Sequence, residues 1–305
     1  MDSSEGAVGS ILEWEGVLME NFYQLILNGV LLGGLYATIA MGLSTILGIV
    51  KVINLAHGDL MILGSYLSFV FMHWIGVNPF WTFFLVIPAM FFIGFFIQSL
   101  ILNRVVGKGM EPSLILTFGL SIIIQNSLLL FFTPDSRSLM TPLSVKTIPI
   151  TEFLNIPLLY LVNFFVALGA IFILHLIFQK TYLGRAIRAA SDDEIAAKLM
   201  GINTKRIYAF AMGIAMMTAG VAGVLVGMAF LFYPHTGPQY LIIAFGVMVI
   251  GGLGSMKGTF IGGLILALSQ LIGAQLLGIG NQLLCGYIVL LIVLAIRPQG
   301  VFGEG

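Results

Sequence analysis

Three polar residues with the potential for chemistry stand close together in the segment KVINLAHGDL, residues 51–60: Asn54, His57 and Asp59. A histidine and a carboxylate two positions apart could act as an acid and a base, or could couple transport to an ion. Placing these polar side chains here costs free energy, because the flanking residues 21–50 and 60–103 contain no Asp, Glu, Lys or Arg. The segment is therefore either a turn at a membrane surface or irregular backbone that dips into the bilayer.

The composition identifies those surroundings as lipid. Of the 305 residues, 59% are hydrophobic and 9% are charged, and the mean hydropathy is +1.08. Soluble domains carry roughly 25% charged residues, so we predict an all-α polytopic membrane protein with about 8–9 transmembrane helices. The one cysteine, Cys285, excludes an internal disulfide and argues against a metal site.

Uncharged runs, divided at clusters of Gly, Pro and Asn, predict nine helices. They lie near residues 22–46, 59–76, 80–102, 112–132, 157–178, 207–232, 239–253, 258–277 and 282–296. The stretch 239–253 is short, since about 15 residues rise only about 22 Å. Whether 47–58 and 239–253 cross fully or are re-entrant stays open at this stage.

The lysines and arginines predict the orientation. With the acidic N-terminal segment 1–20 outside and nine crossings, two basic residues of the thirteen, Arg137 and Lys146, fall outside. The other eleven fall inside: Lys51, Arg104, Lys108, Lys180, Arg185, Arg188, Lys198, Lys205, Arg206, Lys257 and Arg297. We therefore expect an extracytoplasmic N-terminus and a cytoplasmic C-terminus. The sequence leaves open whether residues 11–18 form a short helix outside the membrane. The outer loop 133–156 should form a cap with a β segment at 143–150.

The inner loop 179–206 contains a predicted helix of its own, residues 192–200. Ser191 and Glu194 have the S-x-x-E spacing of a capping box, and Gly201 suits the position just after the helix. Ile195 and Leu199 lie four residues apart and share a face. That face either folds back onto the membrane surface or docks into a partner protein.

Several motifs resemble those of the LivH-type permeases of branched-chain amino acid importers. The resemblance covers nearly all of residues 21–303 and rests on NGVLLGGLYATIAMGL, INLAHGDLMILGSY, GLSIIIQN, GRAIRA, EIAAKLMG, GINTKRI, GGLGSMKGTFIGGLIL and RPQGVFG. The acidic segment 1–20 and the loop 133–156 depart from it. It implies two regions, the segment 1–20 and a permease domain at 21–303 that includes the coupling loop 179–206.

The resemblance also implies partners. Such permeases pair with a second permease of similar fold, bind two cytoplasmic ATPase subunits that use ATP and Mg²⁺, and receive solute from an extracytoplasmic binding protein. The chain itself should lie in the inner (plasma) membrane, in contact with lipid and without nucleic acid, and should need no cofactor. It has no G-x-x-x-x-G-K-[ST] segment, so we expect a transport subunit and not an enzyme.

Two groups of residues are candidates for function. Coupling to the ATPases is assigned to the loop helix and its ends, Ser191, Glu194, Ile195, Ala196, Ala197, Leu199 and Gly201. The solute pathway is assigned to the polar residues of the spans, Asn54, His57, Asp59, Tyr36, Gln125 and Asn126. The alternative for the latter group is interhelical hydrogen bonding.

Other functions stay open. The resemblance leaves the solute undetermined, since related permeases carry urea, short amides and other amino acids. It also leaves open whether the paired permeases are identical. A different class would be an ion-coupled secondary transporter with Asp59 as its carboxylate, or a channel.

Overall fold

The computed structural model describes the backbone of residues 2–151 and 154–303, and the side chains of residues 20–109, 111–151 and 154–303. In this part of the chain there are eleven α-helices: α1 Asp2–Val50, α2 His57–Ile75, α3 Pro79–Leu100, α4 Met110–Phe132, α5 Leu158–Lys180, α6 Tyr182–Asp192, α7 Glu194–Leu199, α8 Thr204–Ala229, α9 Gly237–Gly251, α10 Met256–Leu277 and α11 Gln282–Ile296. Short 3₁₀ helices occupy Leu102–Arg104, Pro142–Ser144 and Ile279–Asn281.

Eight segments are long and apolar enough to cross a membrane, and α9 is a shorter apolar helix. The nine predicted helices are therefore confirmed in number and approximate position within the described residues. Residues 11–18, left open by the sequence, form no separate helix, because they belong to the continuous helix α1. The outer loop carries a small antiparallel pair, β1 Thr147–Pro149 and β2 Asn155–Pro157. Strand β1 lies within the predicted β segment 143–150, whereas β2 was not predicted.

The segments that connect the helices lie at two ends of the bundle. At one end, which we call the basic end, Gly48 packs against Gly254 and Asn103 donates a hydrogen bond to the carbonyl of Lys205. The eleven basic residues predicted to lie inside are on the segments that meet there. At the other end, the loop end, Gln24 bonds to Asn155 of the outer loop.

Helix α2 begins far from the basic end. His57, its first residue, places Nε2 2.9 Å from the carbonyl oxygen of Ile39. Ile39 precedes the end of α1 by about three turns, or about 16 Å. The chain therefore turns back after Val50, and residues 51–56 return into the bundle before α2 starts.

Helix α9 begins at a similar depth but runs in the opposite direction. It has 15 residues and is about 22 Å long. Its last residue, Gly251, packs on Gly258 at the start of α10, whereas its first residue, Gly237, packs on Gly58 and Asp59 of α2. The first turns of α2 and α9 therefore meet inside the bundle, and of the two only α2 is long and apolar enough to cross a membrane by itself.

The helices that pack against α2 and α9 are also related in pairs. Helix α2 packs on α8 and α9 packs on α1, while α3 packs along α8 and α10 packs along α1. The units α1–α3 and α8–α10 therefore have the same arrangement in opposite directions, which is typical of transport proteins with inverted repeats. Irregular backbone, residues 51–56 and 230–236, leads into α2 and α9. Whether 47–58 and 239–253 are full crossings or re-entrant stays a prediction.

Glycines allow the half-helix α2 to approach α8 closely. Gly64 lies against the Cα atom of Gly220, and the Ser65 hydroxyl donates to the carbonyl of Gly223 at 2.7 Å. A Cβ atom added at Gly223 would overlap the carbonyl oxygen of Met61. A larger residue at this position would therefore push the two helices apart.

The substitution Gly223→Ala should destabilise the protein by about 1–3 kcal/mol, because overpacking a helix contact forces a backbone shift. Gly119→Ala on α4 is the matched control, since a Cβ there meets nothing within 4 Å. It should raise stability slightly, because alanine favours helix over glycine by about 1 kcal/mol. Thermal unfolding in detergent measures both, and equal midpoints for the two variants would contradict the packing described.

Candidate functional site at the helix junction

The site with the most unusual geometry is the point where α2 and α9 begin. We call it the helix junction, and it consists of Gly58 and Asp59 of α2 and Gly237 of α9. A Cβ atom at Gly58 would collide with the carbonyl oxygen of Gly237, and one at Gly237 would collide with the Asp59 carboxylate. Only glycine permits this approach at either position.

Asp59 is the only buried acidic residue among those whose side chains the structure describes, with 1% of its surface exposed. Its Oδ2 atom accepts a hydrogen bond from the Ser121 hydroxyl of α4 at 2.5 Å. The Gln125 amide donates to the same Ser121 oxygen at 3.1 Å, and Gln125 Oε1 lies 3.1 Å from Nδ1 of His235. This chain of hydrogen bonds leads from the buried carboxylate to the exposed His235.

The position of Asp59 has an electrostatic explanation. Asp59 lies in the first turn of α2 and beside the first residue of α9, and neither helix has a side-chain N-cap. Backbone N–H groups at a helix N-terminus carry a partial positive charge that stabilises a nearby anion. The N-termini of α2 and α9 therefore both lie beside the Asp59 carboxylate. Their partial positive charges offset part of the desolvation free energy of burying this carboxylate.

Two backbone N–H groups of the segment before α2 bond to side chains. Asn54 is fully buried, and its Oδ1 atom accepts from the Ala56 N–H at 3.1 Å. The Leu55 N–H donates to the Thr117 hydroxyl of α4 at 3.2 Å. The interpretation of residues 51–60 as a surface turn is therefore wrong for Asn54, His57 and Asp59, although Lys51 is exposed as that interpretation required.

His57 and Asp59 do not form an acid–base pair. His57 is fully buried and its Nε2 atom faces the carbonyl of Ile39 on α1, whereas Asp59 faces α4 and α9. Their side chains point to different helices because they are two positions apart, roughly 200° around the helix. The geometry gives each a separate structural contact.

The other predicted pathway residues are spread over the bundle. Tyr36 on α1 is buried and donates a hydrogen bond to Gln270 Oε1 at 2.7 Å. Gln125 belongs to the chain of bonds at the junction. Asn126 is exposed on α4, with Nδ2 bonded to the carbonyl of Ile122 of its own helix. The structure therefore brings Asp59 and Gln125 together and leaves Tyr36 and Asn126 apart from them.

A second site lies at the basic end, where α6 and α7 form a small surface that we call the α6–α7 platform. Helix α6 buries Ala186, Ile187 and Ala190, and the Tyr208 hydroxyl donates to the Ala190 carbonyl at 3.0 Å. The Ser191 hydroxyl donates to the carbonyl of Gly48 on α1 at 3.0 Å. These contacts attach the platform to α8 and α1.

Helix α7 presents apolar side chains outward. Ile195 is 73% exposed and Leu199 and Met200 are each 83% exposed, whereas Ala197 is buried and Ala196 exposed. Glu194 holds the helix through an ion pair with Lys198 at 2.6 Å and a bond from the Thr204 hydroxyl at 3.3 Å. The predicted shared face of Ile195 and Leu199 is confirmed as exposed.

The predicted capping box is wrong. Asp193 is the N-cap, with Oδ1 accepting from the N–H groups of Ile195 and Ala196, each at 2.9 Å. Ser191 belongs to the last turn of α6, so the predicted helix 192–200 is in fact α7 at Glu194–Leu199 preceded by α6. Gly201 ends it with φ of 80°, as its predicted position requires.

Sequence reasoning missed Ser121 and Asp193. Ser121 precedes Gln125 by four residues, which places both on one face of α4, and this spacing is the signal that could have found it. The run Ser191-Asp192-Asp193 offers three possible caps, and only the position of the helix start distinguishes them.

The comparisons with known proteins agree with the fold. The family described as "Branched-chain amino acid transport system / permease component" matches residues 25–296. The chain belongs to this family. With its eight apolar helices of spanning length in the described residues, the permease is a multi-pass membrane protein.

Individual relatives extend the match over almost the whole permease. It is 32% identical to the high-affinity branched-chain amino acid transport system permease protein LivH of Escherichia coli (strain K12), over 93% of this chain and 96% of the relative. It is 30% identical to the corresponding BraD protein of Pseudomonas aeruginosa over the same shares. LivM of Escherichia coli (strain K12) is 23% identical, over 88% of this chain and 67% of LivM. No solved structure matches.

Removing the Ser121 hydroxyl should test the junction. Ser121→Ala leaves the buried Asp59 carboxylate without its serine donor, so we expect a loss of about 1–3 kcal/mol in stability. Ser269→Ala is the matched control, because its hydroxyl bonds only to the carbonyls of Ile265 and Leu266 in its own helix. Thermal unfolding in detergent compares the two, and a midpoint for Ser121→Ala at or above that of Ser269→Ala would refute the role of Ser121.

Proposed function

We propose that this protein is the transmembrane permease subunit of an ATP-binding cassette importer for branched-chain amino acids, leucine, isoleucine and valine. The observation that carries the proposal is the family match over residues 25–296, together with relatives named as branched-chain amino acid permeases. Nine apolar helices in the described residues, two of which (α2 and α9) begin where they meet inside the bundle, fit a protein that opens alternately to two sides.

The α6–α7 platform supports coupling to partner ATPases. Exposed Ile195, Leu199 and Met200 form an apolar patch on a helix fixed to the bundle at Ser191 and Tyr208. An apolar helix face that inserts into a groove of a partner is a common mode of recognition. In this proposal the ATPases bind ATP and Mg²⁺, and the permease has no nucleotide site of its own.

The orientation of the protein in the membrane follows from the charges of the basic end, where the α6–α7 platform lies. Because the basic end carries eleven of the thirteen lysines and arginines, we place it in the cytoplasm. The loop end, with Arg137 and Lys146, then faces the outside, where an extracytoplasmic binding protein delivers the solute. The membrane is the inner (plasma) membrane, and a second permease of similar fold completes the pathway.

The ion-coupled alternative rests on Asp59. A buried carboxylate inside the bundle is the usual requirement for such coupling. Here Oδ2 of the carboxylate accepts from Ser121 and Oδ1 is buried without a hydrogen-bond partner, but the carboxylate lies beside the first turns of two helices, whose N–H groups stabilise an anion. The geometry therefore favours the importer subunit.

Replacing Ile195 with Asp should abolish both uptake and copurification of the ATPases, because a carboxylate would have to be buried in the apolar contact at a cost of several kcal/mol. Val145→Asp, at an exposed position of the loop end, is the matched control and should retain copurification. Quantitative pull-down from membranes measures the difference. Normal recovery of the ATPases with Ile195→Asp would show that the platform does not bind them.

The solute is tested by uptake into vesicles that contain the complete assembly. Labelled leucine should enter in an ATP- and binding-protein-dependent way, and unlabelled isoleucine and valine should compete. Urea, acetamide and glutamate should compete poorly, since a pathway with few charges suits neutral or zwitterionic apolar solutes. Strong competition by urea with none by valine would move the proposal to the urea and amide permeases.

A further inference from the structure

A cavity of about 280 Å³ opens at the loop end between α1, α9 and the turn that joins α10 to α11. We call it the Tyr36 cavity. Its polar side chains include Tyr36, Gln239 and Gln282, and its apolar wall includes Phe230, Ile243 and Leu283. Small-molecule sites have volumes of about 300–1,000 Å³, so this cavity lies just below that range and has room for no more than one small solute.

The polar side of the cavity is built on a buried pair. Tyr36 donates its hydroxyl to Oε1 of Gln270 at 2.7 Å, and Gln270 is fully buried with no partner for Nε2. The phenol oxygen of Tyr36 keeps its lone pairs and can accept from an N–H group of a ligand. The Gln270 side chain is not among the residues that line the cavity, so its role is to fix the hydroxyl of Tyr36, which does line it.

The cavity also includes the first turn of α9. Gln239 lies two residues after Gly237, and the N-cap Thr236 provides no side-chain cap. This turn lines the cavity through Gln239 and Tyr240, while the partial positive charge of the helix end faces Asp59 at the helix junction. Gln239 is itself exposed, so a solute can reach this turn.

The charge of the lining restricts the ligand. None of the described residues that line the cavity is Asp, Glu, Lys or Arg. A solute with a net charge would have no oppositely charged side chain to pair with in the cavity. The two charged groups of a zwitterion can instead interact with the dipoles of polar groups in the lining. The apolar wall of Phe230, Ile243 and Leu283 is suited to an aliphatic side chain.

We propose that the Tyr36 cavity is the outward-facing vestibule that receives one zwitterionic aliphatic amino acid. The aliphatic side chain packs on Phe230, Ile243 and Leu283, and the polar groups face Tyr36, Gln239 and Gln282. The inference rests on the proposed function and assigns residues to it. Because α9 runs from the helix junction along this cavity, a solute held here lies next to the half-helix that begins at Gly237.

The test compares two neighbouring leucines of α11 in the complete reconstituted assembly. Leu283 lines the cavity and Leu284 does not, and both are exposed, so tryptophan should be tolerated by the fold at either position. Leu283→Trp should lower leucine uptake at least about tenfold by filling the cavity, as for a pocket that rejects a misfitting group. Leu284→Trp should stay within about twofold of the wild type, as surface substitutions usually do.

A second pair of variants tests the polar side of the Tyr36 cavity. Tyr36→Phe should lower uptake about three- to tenfold, the effect of losing one hydrogen bond. Tyr66→Phe is its control, because the buried Tyr66 hydroxyl has no partner in the structure and does not line the cavity. The amount of assembly recovered is measured for each variant to correct for folding.

The outcomes separate the two proposals. Equal uptake within both pairs, in an assembly whose wild-type form transports leucine, would overturn the assignment of the cavity alone. A wild-type assembly that transports no branched-chain amino acid would overturn the proposed function and this inference with it.

Discussion

The requirement that every backbone group find a hydrogen-bond partner without water is the constraint on which this structure depends. Helices meet it internally, but residues 51–56 and 230–236 are irregular and lie within the bundle. Several of their N–H groups bond to protein: Leu55 donates to Thr117, and Phe232 donates to the carbonyl of Arg137. The burial of Asn54 and Ala56 in the first segment, and of Phe232 in the second, shows that protein covers part of each segment where α2 and α9 begin.

Those two helix starts explain the most polar part of the interior. The uncapped ends of α2 and α9 would otherwise face each other with like partial charges, and Asp59 lies beside both. Gly58 and Gly237 allow the approach that makes this arrangement possible. A carboxylate at this depth is thus a consequence of the inverted half-helices, with Ser121 as its hydrogen-bond donor.

Helix α1 joins the parts of the molecule assigned to function. Its carbonyl at Gly48 accepts from Ser191 of the platform, and its carbonyl at Ile39 faces His57 next to the junction. Further along the same helix, Tyr36 lines the cavity at the loop end. A displacement of the platform would therefore act on a continuous, largely buried helix that contacts both the junction and the cavity.

The sequence by itself determined the class of protein and the nine helices, because hydropathy depends only on the solvent that each segment meets. It also determined which connecting segments carry the lysines and arginines of the basic end. The exposed Ile195 and Leu199 and the terminating Gly201 were also predictable, since helix periodicity and left-handed backbone are local properties. The motifs were sufficient to indicate the family. These features require no knowledge of which helices touch.

The tertiary structure alone decided the depth of residues 51–60 and the partners of the polar side chains. Hydropathy cannot distinguish a turn at the surface from a segment surrounded by protein, so Asn54, His57 and Asp59 could be assigned to either. The bond between Asp59 and Ser121 joins residues 62 positions apart, and only helix packing brings them together. The cap at Asp193 was decided in the same way, because where α6 ends depends on its contacts with α1 and α8.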